Sequence, residues 1–583
     1  MQWKLIKKED KRTIEKISRE HGLSYLQAKL LYNRDIISKE DIDKYLYGNF
    51  NDLYNPETLK DSDKAVEILK DAFLNFKKIL IYADYDADGI TSAVVCTKAL
   101  RNLGLEVTPY IPDRRTEGYG INKKSIENIF KKEDFDLIIT VDNGIRAHEA
   151  IEYIVNDLKK PVIITDHHDC PDTLPPADAV VNVKRQDDLS ENKSLCGCTT
   201  IWKIMYLFYK EIGADLQFIY DLSAYCAIAT IADIMDLTPE NRIFVTEGLK
   251  VINQKIYNGL SELMEACNIQ NVTSESIGFF IAPCINAAGR LKTVDIALNL
   301  LLEEGDLPAL AQEMVDINTE RKQLTAKALA EVLENIKNNN LHNNKVIVSL
   351  VRSIDEGLVG LVAGKVKELF NLPCIIFTEA EDGTYKGSGR GVEGSPVTMA
   401  GILEATKDYW TKGGGHDMAC GLTLPADPLN FLLFEDTANV FAEEILKNQP
   451  FEPSVVYDDI ISCPDEKICE EIKILEPTGK GNPKAVFLSE QTEIAEFRYV
   501  GDGTHVSFNF MNGIKGIAFG KTAEYTALGE PPAVKILYSP EINIYTYKKE
   551  GEDFVSRTLQ MQISNLKKAE QPEKKIFIAG LRT

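Results

Sequence analysis

Residues 135–169 read FDLIITVDNGIRAHEAIEYIVNDLKKPVIITDHHD. Two short runs rich in Ile and Val flank a helical stretch, AHEAIEYIVNDL. Each run is too short for a helix and ends in an acid. Asp142 closes the first; Asp166 closes the second and is followed by His167, His168 and Asp169. A strand, a helix and a second strand of these lengths predict a parallel pair joined by a right-handed crossover. The same alternation runs from about residue 62 to 290, where KILIYADYD (78–86) and VTPYIP (107–112) are further strands. Sites in open α/β sheets form beyond the carboxyl ends of the strands. Three of these strands deliver an acid or a histidine there.

The rest of the chain divides by texture. Residues 1–50 read as short helices, one starting at Ser38 with Glu40 and Asp41 in its first turn. Residues 296–340 recur at helical spacing, and NNNLHNN (338–344) is a boundary loop. A second, smaller α/β unit follows, with KVIVSLV, LVGLVAGKVKELFN and PCIIFT, and with SGRG (388–391) and GGGH (413–416) read as glycine-rich turns. Beyond about residue 450, short alternating strands predict a small barrel of the OB type. The expected boundaries are 1–60 for a helical N-terminal segment, 61–290 for the parallel-sheet domain and 291–344 for connecting helices. The smaller α/β domain then takes 345–449 and the barrel 450–583.

Bulk properties narrow the class. The formal net charge of −23 argues against a nonspecific nucleic-acid coat, though not against an enzyme with a local basic groove. No stretch approaches the roughly 18 apolar residues of a membrane helix. MQWKLIKKEDKR lacks the apolar core of a signal peptide. The eleven cysteines form no CxxC pair, and Cys196 and Cys198 flank a single glycine, a spacing unlike zinc or redox motifs. Reduced thiols in a cytoplasm are expected.

Four stretches carry candidate chemistry. ADYDADGITSA (83–93) places Asp84, Asp86 and Asp88 two residues apart, with Gly89 at the turn. It reads either as a solvated acidic loop or as a metal site. An EF-hand is excluded, because its twelfth position is Val95. ITVDNG (139–144) alone is a strand-end turn. Two adjacent histidines after Asp166 are harder to explain by packing, and imidazole with carboxylate suits manganese, iron or zinc. Asp233 sits in the apolar stretch ATIADIMDL (229–237), where a buried acid needs a partner or a metal. Together these residues can satisfy two divalent ions about 3.5–4 Å apart, an arrangement suited to phosphodiester hydrolysis.

At this point the sequence resembles the DHH-superfamily phosphoesterases, and within them the RecJ single-stranded-DNA exonucleases. The likeness rests on YADYDADGITS, YIPDRRTEGYG (110–120), VDNG, TDHHD followed by LPPADAVVN (174–182), and IADIMDLTPENR (231–242). It continues through INAAGRL (285–291), GGGHDMACGL (413–422) and EPTGKGNPKAVF (476–487). The resemblance implies a DHH domain, a helical linker, a smaller α/β DHH-associated domain and an OB-like barrel. It implies metal ligation by Asp86, Asp88, Asp142, His167 and Asp233, with Asp84 beside them as ligand or supporting acid. Two Mn²⁺ ions are expected, Mg²⁺ being the alternative. His168 then touches the scissile phosphate or orients the nucleophile, Asp166 orients the histidine pair, and Asp169 stands outside the site.

On the substrate side the resemblance assigns Arg290, Ser388, Arg390, Gly414, Gly415 and His416 to phosphate contact. Tyr119 and Phe130 are candidates for base stacking, with core packing the simpler role. The family commonly carries a histidine before the glycine of SIDEGLVGLVAG (353–364), where this chain has Glu356. The implied activity is 5′→3′ removal of mononucleotides from single-stranded DNA in repair and recombination. A narrow passage would exclude duplexes, which must melt at about 1.4 kcal/mol per base-pair step. The barrel, poor in Lys and Arg, implies weaker DNA affinity or help from a single-strand-binding protein or helicase. A monomer without membrane association is expected. The alternatives are a phosphodiesterase for nanoRNA or cyclic dinucleotides, or an inactive DNA-binding scaffold. The first is weakened by the chain's length, the second by its intact set of acids.

Overall fold

The computed structural model describes residues 2–569 apart from 114–116, 119, 353 and 550–551. Tyr119 thus lies outside the described residues. Two compact units are present: residues 49–453 form one, and those up to Gly48 group with those from Ser454 onward in the other.

The larger unit is organised by five parallel strands: β1 (Ile79–Ala83), β2 (Val107–Tyr110), β3 (Leu137–Val141), β4 (Val162–Asp166) and β5 (Ala179–Asn182). Their order is β2-β1-β3-β4-β5. Alternate side chains enter two different cores. Ile79, Ile81 and Ala83 pack on one face, and Leu80 and Tyr82 on the other. A sheet covered on both faces requires unbroken apolar strands, and β1, β3, β4 and β5 are buried throughout. Strand β5, four residues long behind a Pro-Pro pair, carries too short a pattern to be read from sequence.

Helices α1 (Ala87–Asn102), α2 (Gly197–Ile212), α3 (Ser223–Ala232) and α4 (Ala282–Leu291) cluster on the first of these cores. The long helix α5 (Leu307–Asn338) leads to the second sheet. That sheet consists of β6 (Ile347–Leu350), β7 (Cys374–Glu379), β8 (Thr384–Arg390), β9 (Lys412–His416) and β10 (Ala419–Pro425), ordered β9-β10-β8-β7-β6. Helix α6 (Glu356–Phe370) packs on it.

Two expectations change here. SGRG falls largely within β8 and GGGH within β9, so neither is a turn. The glycines serve close packing instead. A Cβ on Gly387 would lie 2.4 Å from the Phe377 ring, one on Gly389 2.5 Å from Cys420 Sγ, and one on Gly415 2.3 Å from the Ala419 carbonyl oxygen. Glu356 faces Lys386 at 3.1 Å, while Asp355 caps α6 by accepting the Gly357 N–H at 2.8 Å.

In the smaller unit, β11 (Phe487–Val500), β12 (His505–Phe510), β13 (Lys515–Ala518), β14 (Ala533–Lys549) and β15 (Glu552–Lys568) run in the order β11-β12-β13-β15-β14. Pairing of β14 with β11 closes the barrel. Helices Lys11–His21, Tyr25–Asn33 and Lys39–Tyr47 precede it in sequence. Ser38 caps the third, accepting the Asp41 N–H at 3.0 Å. Leu30 joins the barrel core, and Asn33 and Arg34 bind the Asp458 carboxylate at 3.0 Å. An unpredicted strand, Gln2–Leu5, pairs in parallel with Ser454–Tyr457.

Helix α2 is fixed by a fully buried ion pair between Lys203 and Glu240. Glu240 also accepts the Tyr54 N–H at 2.9 Å and the Asn192 amide at 3.1 Å. Glu240→Ala should therefore destabilise the larger unit by about 3–5 kcal/mol, because it leaves a buried ammonium unpaired. Urea unfolding checks this; a loss under about 1 kcal/mol would contradict it.

Candidate metal centre and substrate cleft

In-register parallel pairing brings the strand ends together. Ala83 pairs with Val141, and Val141 with Thr165, so Asp84, Asp142 and Asp166 follow on adjacent strands. Asp142 adopts φ +60°, a strained backbone tolerated by a short polar side chain, and its N–H donates to the Thr165 carbonyl at 2.9 Å. Asp86 caps α1 by accepting from the N–H groups of Asp88 (3.0 Å) and Gly89 (3.1 Å). Asp233 caps the end of α3.

These side chains converge. Candidate donor atoms of Asp84, Asp86 and Asp142 lie within 4.8 Å of one another, as do those of Asp88, His167 and Asp233. Asp142 links the groups: its Oδ1 lies 3.1 Å from His167 Nε2, which is 3.5 Å from Asp88 and 3.6 Å from Asp233. All six candidate ligands thus fall in one cluster. Burial, then the charges of the neighbouring acids, pushes the Asp142 carboxyl well above its ordinary range. Burial and Asp86 raise Asp88 to about 7, and burial with Asp88 and Asp86 raises Asp233 to about 8. Burial lowers His167 to about 3, leaving a neutral imidazole.

The donor set fits divalent cations. Asp142 Oδ1 is buried without a hydrogen-bond donor, His167 is neutral, and several carboxylates are crowded enough to disfavour their own charge. Positive charge at the cluster relieves all three conditions.

His168 differs from its neighbour. Burial works against its charge, but the hydrogen bond from Nδ1 to Asp166 Oδ1 at 2.8 Å and the charge of Asp166 outweigh it, raising the imidazole to about 9. Asp166 also accepts the N–H groups of His167 (2.7 Å), His168 (3.0 Å) and Ile145 (3.0 Å). It fixes the loop and holds a cationic, 42% exposed His168 ring at the cluster's edge. Asp169 instead pairs with Lys184 at 3.1 Å.

Several supporting residues carry no motif recognisable in advance. The N–H groups of Gly197 and Cys198, at the start of α2, donate to Asp88 Oδ2 and Oδ1 at 2.7 and 2.8 Å. A Cβ on Gly197 would lie 2.6 Å from Asp142 Cβ, so only glycine brings this helix end so close. Asn286 of α4 accepts the Ala87 N–H at 2.9 Å, supporting the 84–88 loop. The odd Cys-Gly-Cys spacing was the one available signal for the first of these.

Among the expected substrate residues, Arg290 Nη1 donates to the Gly357 carbonyl at 2.9 Å, and Arg390 Nη1 to Ser388 Oγ at 2.9 Å. Gly360, one helical turn beyond Gly357, leaves room for this group: a Cβ there would lie 2.8 Å from Arg390 Nη2 and 3.1 Å from Ser388 Oγ. Gly414 and His416 are exposed on β9, as is Gly415. Phe130 packs edge-on against Phe135 at 5.9 Å, a core role.

A parallel sheet that gathers acids and a histidine at its carboxyl ends, with a glycine-rich second sheet in the same unit, is the architecture of the DHH class. Residues 78–230 match the DHH family N-terminal domain, 343–444 the DHHA1 domain and 461–552 the RecJ OB domain. The chain is 32% identical over 490 residues to the single-stranded-DNA-specific exonuclease RecJ of Escherichia coli, covering 79% of this chain and 82% of that protein. It is 33% identical over 521 residues to RecJ of Bacillus subtilis, covering 88% of this chain but only 64% of the relative. The crystal structure of Thermus thermophilus RecJ in complex with Mn²⁺ superposes with a TM-score of 0.78 at 26% identity, covering 98% of this chain and 80% of that one. The chain belongs to the RecJ family.

Gly197→Ala forces α2 away from Asp142 and Asp88. It should weaken Mn²⁺ binding at least about tenfold by isothermal titration while leaving the circular dichroism spectrum unchanged. Unaltered affinity would contradict the role given to this helix end.

Proposed function

We propose that this protein is a metal-dependent exonuclease that removes 5′-mononucleotides from single-stranded DNA in the 5′→3′ direction, in DNA repair and recombination. The observation that carries the reading is the joined cluster of Asp84, Asp86, Asp88, Asp142, His167 and Asp233 in a chain of the RecJ family. These six residues would hold two divalent cations, Mn²⁺ with Mg²⁺ as the alternative, in keeping with the Mn²⁺ and Mg²⁺ complexes of Thermus thermophilus RecJ. The cations, when bound, supply Lewis acidity, acidifying water and neutralising charge on the phosphoryl oxygens.

The chain's own residues do the rest. Asp88 is held rigid by two N–H donors, and Asp142 sits between the two groups of ligands. Protonated His168, oriented by Asp166, donates to a non-bridging oxygen of the scissile phosphate and stabilises the charge that grows there. Arg290, Ser388 and Arg390 take the 5′-terminal phosphate, and the open backbone of Gly414, with exposed Gly415 and His416 beside it, takes the sugar-phosphate chain. With the end fixed, the next phosphodiester always meets the metal acids, which makes the enzyme an exonuclease.

The barrel offers 53% exposed Phe519, resting edge-on against His505, and 40% exposed Tyr499 as surfaces for bases. Acids outnumber lysines and arginines in the barrel, which suits delivery of the strand by a single-strand-binding protein or a helicase. Among the described residues no helix is long and apolar enough to cross a membrane.

Asp142→Ala should reduce hydrolysis by more than about a thousandfold with the fold intact; full activity with Mn²⁺ would contradict the mechanism. A 5′-labelled oligonucleotide should release labelled mononucleotide first. Early internal fragments would contradict the polarity.

A further inference from the structure

A cavity of about 410 Å³ opens beside His168 and is lined by none of the six metal-centre residues. Ile121, Ile145 and Ala147 give it apolar walls, and Gly415 and His416 of β9 form the opposite side. Arg146 and Asp169 stand at its edge, where Arg146 Nε donates to the Asp169 carbonyl at 3.1 Å. A mostly apolar cavity of this size with a few polar groups at its edge is characteristic of a small-ligand subsite.

The register of the second sheet connects this cavity to the proposed 5′-phosphate site. His416 pairs with Ala419, and Ala419 with Arg390; Gly414 pairs with Gly421, and Gly421 with Ser388. Directly paired residues share a face, so Arg390 and His416 lie on one face, two strand spacings or about 10 Å apart. The surface between them bears only small residues. A Cβ placed on Gly414 or on Gly421 meets nothing within 4 Å. An open trough therefore leads from Ser388 and Arg390 to His416 and the cavity mouth, about the length of one nucleotide.

We infer that this cavity receives the base of the 5′-terminal nucleotide, packed against Ile121, Ile145 and Ala147 with Arg146 at its edge. The inference rests on the exonuclease reading above. With the 5′-phosphate at Arg390 and the scissile phosphate at His168, the terminal nucleoside spans the trough, and its base has this apolar recess beside it. The contacts are sequence-tolerant. The walls meet the faces that every base possesses, while the Arg146 guanidinium donates and the Asp169 carboxylate accepts at the base edge. The base thereby fixes the sugar and the depth of the next phosphodiester.

The test uses the full chain with Mn²⁺ and 5′-phosphorylated single strands. One strand is unmodified, one carries an abasic tetrahydrofuran residue at the first position, and one carries it at the sixth. The wild type should show kcat/KM for first-nucleotide release about tenfold lower on the first-position abasic strand, and less than twofold lower on the other. Ala147→Trp fills the cavity and should slow the unmodified strand to the abasic rate without further slowing the abasic one. Arg146→Ala, at an exposed position that does not endanger folding, should narrow the abasic difference to about threefold. Equal wild-type rates on unmodified and first-position abasic strands would overturn the inference alone, as would variants that slow both equally. Failure of the wild type to release a 5′-terminal nucleotide from the unmodified strand would overturn the exonuclease reading as well.

Discussion

Electrostatic repulsion among carboxylates held beyond the ends of a parallel sheet is the constraint on which the site depends. Donor atoms of three acids lie within 4.8 Å of one another in one group, and Asp142 connects that group to a second. Each pair of ionised acids at such separations costs about 3–4 kcal/mol at an effective dielectric near 20. The fold meets part of that cost. Two N–H groups at the start of α2 hold Asp88, the N–H groups of α1 hold Asp86, and His168 balances Asp166. What remains is a set of buried and half-buried oxygens and one neutral imidazole that favours positive charge. A stability cost in the protein alone thus becomes binding energy for cations.

The sheet makes this arrangement possible because it is covered on both faces. With the strands rigid and in register, the turns after β1, β3 and β4 have little freedom, and Asp142 is held at φ +60°. The same logic separates the two histidines. His167 points among carboxylates and stays neutral, whereas His168 turns toward Asp166 and the cavity and carries a proton. Adjacent residues at a strand end face different surroundings, so one tripeptide presents a neutral imidazole to the acids and a cationic one to the cleft.

Much of this was legible in the sequence. Asp84, Asp142 and the 166–168 tripeptide each follow a short apolar run, and Asp86 and Asp88 stand two and four residues beyond Asp84, a local pattern visible in one stretch. Asp233 was legible as an acid out of place in an apolar stretch, and it stands just beyond the end of α3. What stayed hidden depends on contacts distant in sequence. Gly197 meets Asp88 across 109 positions, and Asn286 meets Ala87 across 199. The glycines of SGRG and GGGH suggest turns by composition but lie mostly in strands. Glycine marks either a turn or a place where another group comes close, and only the neighbours Phe377, Cys420 and Ala419 decide between them. Glu356, where the family commonly has a histidine, faces Lys386, and Asp355 supplies the helix cap.

If the acids serve as one two-cation site, both ions must lie on them. Anomalous diffraction at the manganese edge, from crystals of the full chain grown with Mn²⁺, tests it most directly. Two peaks should appear, one among Asp88, His167 and Asp233 and the other among Asp84, Asp86 and Asp142. Peaks lying elsewhere, or no peak at Asp142, would contradict the account.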